Sequence, residues 1–328
     1  MSDKLLEVTN LSKLYKIGGL VIGSLLAAVD AVDISMPGDR ATILSVVGES
    51  GSGKTTLARM MLRLVDPTSG TIQLEGRDIY KGGFRDRDFK AAVQPIFQNP
   101  FESFSIHRHV DAYLYDTARN FGIAKNRKEA QTVVAEVLES VGLDMNRVAG
   151  KYNSQFSGGE LQRIAVARAL ITRPKLIVAD EPVAMIDASL RMNVINLFKR
   201  LQDEFNVNLI YITHDLSTAY YVSDHIAVMY RGSIVEYGPS NEILTEPAHP
   251  YTELLLDSVS KIGEKWRDDV PLPDVEIKEY GAKACKFAER CRYVKDICRR
   301  LKPPMVSIDE ERRSLCFRPV DYQEQQVS

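Results

Sequence analysis

Residues Gly48-Glu49-Ser50-Gly51-Ser52-Gly53-Lys54-Thr55 match the spacing G-x-x-x-x-G-K-[ST]. That octet narrows the folds open to the chain, because it works only between a buried strand and the N-terminus of a helix. Glycines let successive backbone N–H groups turn inward around a phosphate, and the helix tip adds partial positive charge. Lys54 supplies a full charge, the Thr55 hydroxyl can reach a Mg2+ ion between the outer phosphates, and Thr56 follows on the same tip. The flanks fit: Ala41 to Val47 is apolar and β-branched, and Leu57, Met60, Met61 and Leu64 recur at helical spacing. A chance match in a chain of this glycine content is on the order of 1%, and the correct flanks lower it further. The loop residues Gly48, Ser50, Gly51, Gly53, Lys54, Thr55 and Thr56 are therefore expected to hold a nucleotide, ATP.

A second element supports this. Leu176 to Ala179 is an apolar run, as expected of a parallel strand buried on both faces, and it ends in Asp180-Glu181. Asp180 is placed to hold Mg2+ and Glu181 to orient and activate a water against the γ-phosphate. Helix from about Ala188 to Phe205, strand Val207 to Thr213, helix Leu216 to Ser223 and strand Ile226 to Tyr230 continue the alternation. The pattern predicts an α/β phosphate-loop (RecA-like) core with a parallel sheet. Between about Asn99 and Val141 it turns helical, and a long helix opens at Ser157 and stops at Pro174. These give a helical subdomain over about 99–173. After Gly238-Pro239 the alternation ceases, which sets a boundary near residue 240.

Bulk properties remove other classes. The formal net charge of −2 and a pI near 6.3 give no basic excess for a nucleic-acid partner. No apolar stretch approaches the roughly 18–20 residues that span a bilayer; Leu20 to Val29 is short and broken by Gly23 and Ser24. The start Met1-Ser2-Asp3-Lys4-Leu5 lacks signal-peptide character, so a membrane role must come through another chain.

Ser157-Gly158-Gly159-Glu160-Leu161-Gln162-Arg163 resembles the LSGGQ-type signature of ABC ATPases. Physically it is another anion site at a helix tip, with Ser157, Gly158 and Gly159 facing a phosphate. The resemblance implies that this phosphate belongs to ATP held by a second subunit. It further implies that Tyr15 stacks on adenine and that Gln98 touches Mg2+ or the attacking water and senses the permease. Asp187 would couple the subunits, and His214 would contact the γ-phosphate.

The chain resembles most the ATPases of oligopeptide/dipeptide-type (Opp/Dpp) importers, some of which carry nickel or oligosaccharides. Gln98-Asn99-Pro100-Phe101-Glu102-Ser103, Pro247-Ala248-His249-Pro250-Tyr251 and a four-cysteine tail carry that likeness. It implies an ABC nucleotide-binding domain at 1–240 and a family-specific extension at 241–328. It implies an ATP-hydrolysing subunit on the cytoplasmic face of the membrane. Expected partners are a second, non-identical ATPase, two integral permeases and, indirectly, an extracytoplasmic substrate-binding protein. Two other readings are the same machinery importing oligosaccharides, and a soluble non-transport ABC ATPase. The latter resemble tandem cassettes or carry long coiled coils, and here there is one cassette with no heptad run. The chain departs from the family at Phe104-Ser105-Ile106-His107-Arg108 and at Ala184, where a serine is common.

All four cysteines, Cys285, Cys291, Cys298 and Cys316, lie after residue 284. They could be core residues, disulfide pairs, a zinc site or an iron–sulfur site. Disulfides suit a cytosolic ATPase poorly, and tight C-x2-C pairs typical of zinc are absent. Four thiolates also suit a [4Fe–4S] cluster, which is what the Opp/Dpp resemblance implies, with Zn2+ as the alternative.

Overall fold

Strand β3 (Ile43–Val47), buried at every position, runs into the glycine loop, and α1 (Lys54–Met61) starts where the loop ends. The computed structural model describes residues 4–17, 24–258, 280 and 283–318. Met1 to Asp3, the first part of the Leu20–Val29 run, Pro271 and Pro273 lie outside the described residues.

Two long strands that the sequence reading did not predict, β1 (Lys4–Ile17) and β2 (Ser24–Pro37), precede β3 and pair antiparallel. With β4 (Ser69–Leu74) and β5 (Arg77–Asp78) they form a four-stranded sheet in the order β2-β1-β4-β5. Helix α2 (Asp86–Ala92) and strand β6 (Val93–Ile96) lead to a helical subdomain of α3 (Val110–Asn120), α4 (Arg127–Ser140) and α5 (Met145–Val148). Residues 99–109, expected to be mostly helical, form turns instead.

Then come α6 (Gly158–Leu170), β7 (Leu176–Asp180), α7 (Ala188–Asp203), β8 (Asn208–Thr213), α8 (Leu216–Val222), β9 (His225–Tyr230) and β10 (Ser233–Pro239). The helix expected to run to Pro174 stops earlier, because Arg173 takes a left-handed φ of 51°. Helices α9 (Ser240–Thr245), α10 (Pro250–Ser258) and α11 (Asp296–Arg300) and the hairpin β11 (Met305–Ser307)–β12 (Arg313–Leu315) follow.

The large sheet has the order β11-β12-β10-β9-β3-β8-β7-β6, parallel from β9 through β6. Its central strands alternate between two cores. Leu44, Val46, Leu176, Val178, Ile210 and Ile212 face α1 and the smaller sheet. Ile177, Ala179, Leu209 and Tyr211 face α6, α7 and the helical subdomain. Burial on both faces explains the unbroken apolar runs in the sequence. Among the described residues, no helix is long and apolar enough to cross a membrane.

The chain after residue 240 is not hung on a tether. Strand β12 pairs with β10, and Tyr251 and Phe287 pack on Tyr230 of β9, with ring centroids 4.5 and 5.3 Å away. Each buried aromatic contributes about 1.5–3 kcal/mol. Lys286 adds a half-buried ion pair to Asp30 of β2 at 2.9 Å, and the more exposed Lys302 reaches the same carboxylate at 3.2 Å, worth about 0–1 kcal/mol.

His249 lies in the same seam, with 1% of its surface exposed. Its Nδ1 accepts from the Tyr251 N–H at 3.0 Å, and its own N–H donates to the buried Glu236 carboxylate at 3.0 Å. Burial pushes the imidazole down to about 3. The unfolded chain therefore takes up this proton below about pH 6.5, and the folded chain does not until about pH 3. Stability contributed by the neutral ring is full above that window and falls through it as the pH drops, by up to about 1.4 kcal/mol per unit. His249→Asn keeps an acceptor but cannot titrate. Its urea midpoint should decline less steeply than that of the unmodified protein between pH 6.5 and 4.

Candidate functional site

The loop after β3, Asp180-Glu181 after β7, His214 after β8 and Gln98 after β6 all emerge at the carboxyl ends of neighbouring parallel strands. This is where open α/β sheets bind ligands. Lys54 is buried and its Nζ donates to the carbonyls of Gly48 and Glu49 at 2.7 and 2.9 Å. The ammonium thus fills the concave side of the loop, where a phosphate would sit. Burial pulls it below the ordinary lysine value, opposed by Glu181, Asp180 and Glu49. Gly53 starts α1 with φ of 108°, its α-carbon packed against the Ala28 carbonyl of β2. Ser50, Gly51 and Thr56 lie on the same loop and helix tip, as expected.

Thr55 Oγ1 donates to Asp180 Oδ1 at 3.3 Å. Burial raises the Asp180 carboxyl above its usual value, and the Thr55 hydrogen bond opposes that. These two hard oxygens suit the magnesium that accompanies ATP. Gln98, expected at Mg2+ or the attacking water, donates from Nε2 to Glu181 Oε2 at 3.3 Å. On the other side His214 Nδ1 lies 3.2 Å from Glu181 Oε1. Glu181 itself sits in the left-handed region with φ of 47°, its N–H donating to the Ile212 carbonyl of β8 at 2.9 Å. A carboxylate held by its main chain and flanked by an amide and an imidazole is equipped to take a proton from water.

The signature segment is built differently. Ser157 caps α6, its hydroxyl accepting from the Glu160 N–H at 3.2 Å while Glu160 Oε2 accepts from the Ser157 N–H at 2.9 Å. Arg147 forks onto Glu160 at 2.7 and 3.0 Å and holds that carboxyl down to about 2. The cap uses one acceptor lone pair of the Ser157 hydroxyl, so its proton can still be donated outward. Gly158 and Gly159 lead the helix, with the Met185 carbonyl and Ile186 close by. Asp187 precedes α7 and its carbonyl accepts from Leu190 and Arg191 N–H. Tyr15, partly exposed, lies opposite Leu26, two residues before the Ala28 that abuts Gly53.

The departures after the glutamine loop divide into two kinds. Phe104 is buried, edge-on to Tyr113 at 5.5 Å, and its carbonyl accepts from Asn153 Nδ2 at 2.9 Å. Ile106 projects, with 67% of its surface exposed. Nearby, Phe97, Pro95, Arg108, Tyr113 and Phe121 line an open groove of about 1000 Å³ between the core and α3.

The cysteine expectation is corrected here. Among the described residues, no group of three or more His, Cys, Asp or Glu side chains stands where it could hold a metal ion. The iron–sulfur cluster and the zinc alternative are therefore not supported. All four thiols are free and line a largely apolar cavity with Phe287, Pro250 and Phe317. Burial pushes Cys285 up to about 12 and raises Cys291 and Cys316 as well.

Three contacts on the site had no signal in the sequence: the Ala28 carbonyl at Gly53, the Tyr251 hydroxyl at Glu49, and Arg290 at Glu49. Each joins segments remote along the chain, and only the His-Pro-Tyr element marked Tyr251 as notable.

Comparison with known proteins gives concordant matches. The ABC transporter family matches residues 32–184, and the family described as oligopeptide/dipeptide transporter, C-terminal region, matches 235–298. A probable peptide ABC transporter ATP-binding protein of Sinorhizobium fredii is 37% identical, over 96% of this chain and 90% of its own. The oligopeptide transport ATP-binding protein AppF of Bacillus subtilis is 36% identical, over 92% and 93%. Among solved structures, a dimeric ATP-binding cassette bound to ADP and Pi superposes with a TM-score of 0.61. It is 23% identical, over 72% of this chain and 98% of that one. The cbiO1 protein of Clostridium perfringens gives 0.63 at 24% identity, over 75% and 92%. These two support the fold.

Proposed function

The chain belongs to the ABC-transporter ATP-binding subunits of the oligopeptide/dipeptide importer family, and from that premise we propose how its residues divide the work. It is an ATP-hydrolysing importer subunit linked to oligopeptide/dipeptide transport machinery. Residues 1–240 form the nucleotide-binding unit, with the helical subdomain at about 99–173, and 241–328 form the extension.

The loop from Gly48 to Thr56 takes the phosphates of Mg-ATP, displacing the Lys54 ammonium from its carbonyls onto the outer phosphates. Thr55 and Asp180 would hold the magnesium, and Tyr15 stacks on the adenine. Glu181 is the general base toward the attacking water. Gln98 and His214 hold its two oxygens until ATP arrives, then turn to the water and the γ-phosphate. The observation that carries this reading is the pair of contacts on Glu181, at 3.3 Å from Gln98 and 3.2 Å from His214.

The Ser157 hydroxyl and N–H both bond Glu160, so among the described residues no acceptor takes the outward proton of the hydroxyl. We assign Ser157, Gly158 and Gly159 to the ATP of a second ATPase, and Asp187 to the contact between the two. That second ATPase is a related, non-identical subunit. Of two integral permeases, one docks at the groove lined by Phe97 and Arg108, and a substrate-binding protein delivers cargo on the far side. The chain then works at the cytoplasmic face of the membrane. The names of its relatives favour peptide over oligosaccharide as cargo.

Co-expression with the cognate permeases and second ATPase tests this. We expect a membrane-bound complex whose ATP hydrolysis rises when the peptide-loaded binding protein is added. A chain that stays apart from the permeases, or hydrolysis indifferent to peptide, would return the soluble non-transport alternative.

A further inference from the structure

The phosphate loop carries a carboxylate of its own, and that carboxylate is gripped from the far end of the chain. Arg290 Nη1 and Nη2 donate to Glu49 Oε2 and Oε1 at 2.9 and 2.8 Å, a two-pronged pair. The guanidinium is nearly buried, with 12% of its side chain exposed. It packs against the rings of Tyr230 and Phe287, at 5.7 and 5.8 Å. On the main-chain side, the Glu49 N–H donates to the buried Tyr251 hydroxyl at 2.9 Å. Tyr280 also donates its hydroxyl to the Gly51 carbonyl. Three separate pieces of the extension thus converge on two residues of the loop.

The charges give this grip a consequence. The Glu49 carbonyl faces the Lys54 ammonium at 2.9 Å, so its side chain stands one residue from the phosphate seat. An uncompensated carboxylate there repels a triphosphate, and a half-buried site screens that repulsion weakly. Arg290 cancels the charge, and its planar fork also fixes the direction of the residue that opens the turn.

We propose that Arg290 is a positioning residue for ATP: by neutralising and orienting Glu49 it keeps the phosphate loop receptive to anions, which makes the extension part of the nucleotide site. The proposal rests on the reading that this loop takes ATP. It assigns Arg290 no contact with the substrate.

Calorimetric titration of the full-length protein with Mg-ATP tests it. With the Glu49 charge uncompensated, R290Q should weaken binding by about tenfold or more. R290K keeps the charge and loses the fork, and should weaken it by about threefold. The double variant E49Q/R290Q, with the repelling charge gone, should recover most of the loss and bind within about threefold of the unmodified protein. In the assembled transporter, KM for ATP should rise in R290Q while kcat moves by less than about twofold. A merely structural Arg290 would lower the melting temperature of R290Q, and E49Q would not restore binding. The proposal is overturned if R290Q binds as tightly as the unmodified protein, or if the double variant binds as weakly as R290Q. Failure of the folded, unmodified protein to bind Mg-ATP is a separate result, seen before any variant is compared, and it would overturn the parent reading and this one together.

Discussion

Replacing Glu181 with glutamine should lower ATP turnover by about 10²–10³-fold, the usual contribution of a positioned general base, while Mg-ATP binding persists. Glutamine matches the shape of glutamate and tolerates the same left-handed backbone. The hydrogen bond from the Glu181 N–H to the Ile212 carbonyl at 2.9 Å survives the change. Lost are the basic oxygen and the negative charge. The Gln98 Nε2 and His214 Nδ1, 3.3 and 3.2 Å from the carboxylate, now meet an uncharged amide with a single acceptor oxygen. Removing the charge also relieves repulsion with the triphosphate, so affinity should hold or rise. Phosphate release and equilibrium nucleotide binding, measured on one preparation, check both halves. Turnover preserved in E181Q would show that another group activates the water, and the roles given to Gln98 and His214 would fall with it.

Gly53→Ala should have an effect of comparable size by a different route. A β-carbon built there lies 2.1 Å from the Ala28 carbonyl oxygen and 2.8 Å from Met229 Cε, on a backbone at φ of 108°. The methionine end can move, but the β2 backbone cannot without breaking its pairing with β1. The loop must therefore shift, and it carries the start of α1 and Lys54 with it. We expect a destabilisation of about 2–4 kcal/mol and a fall in Mg-ATP affinity of about 10²-fold or more. Gly82 is the internal control. It too has positive φ, at 78°, but nothing lies within 4 Å of an added β-carbon. Gly82→Ala should cost only about 1–2 kcal/mol and leave ATP binding alone. Thermal unfolding and calorimetry on both variants separate backbone strain from collision. Equal losses in the two would mean that close approach to Ala28 is unimportant.

The parts of the molecule legible in the sequence are those whose chemistry is local. The Ala41–Val47 and Leu176–Ala179 runs are apolar because both sheet faces are covered, so periodicity and motif agreed, and the strands end within two residues of the expected bounds. Ser157 declares its helix through a cap completed three residues later by Glu160. The strands β1 and β2 went unread although Leu6 and Val8, and Val32, Ile34 and Met36, alternate as half-buried strands do. Four irregularities in their pairing break the period along their length, and only short stretches of it are clean.

At the candidate site, the residue identities were legible and their partners less so. Gln98 was expected at Mg2+ or the attacking water, and its contact with Glu181 is set by the loop between β6 and α3. The cysteines mislead because spacing reports only that thiols can meet. It does not report whether enough ligating groups stand close enough to share an ion, and among the described residues they do not. Glu49 and Arg290, 241 positions apart, are brought together by the sheet order, which no local pattern encodes.

Both rims of the large sheet are closed to additions. At one rim β6 is four residues long and holds Pro95, which has no backbone donor to offer. At the other the three-residue strands β12 and β11 stand outside the longer β10. Among the described residues, this sheet therefore offers a neighbouring copy only short edges along which to pair.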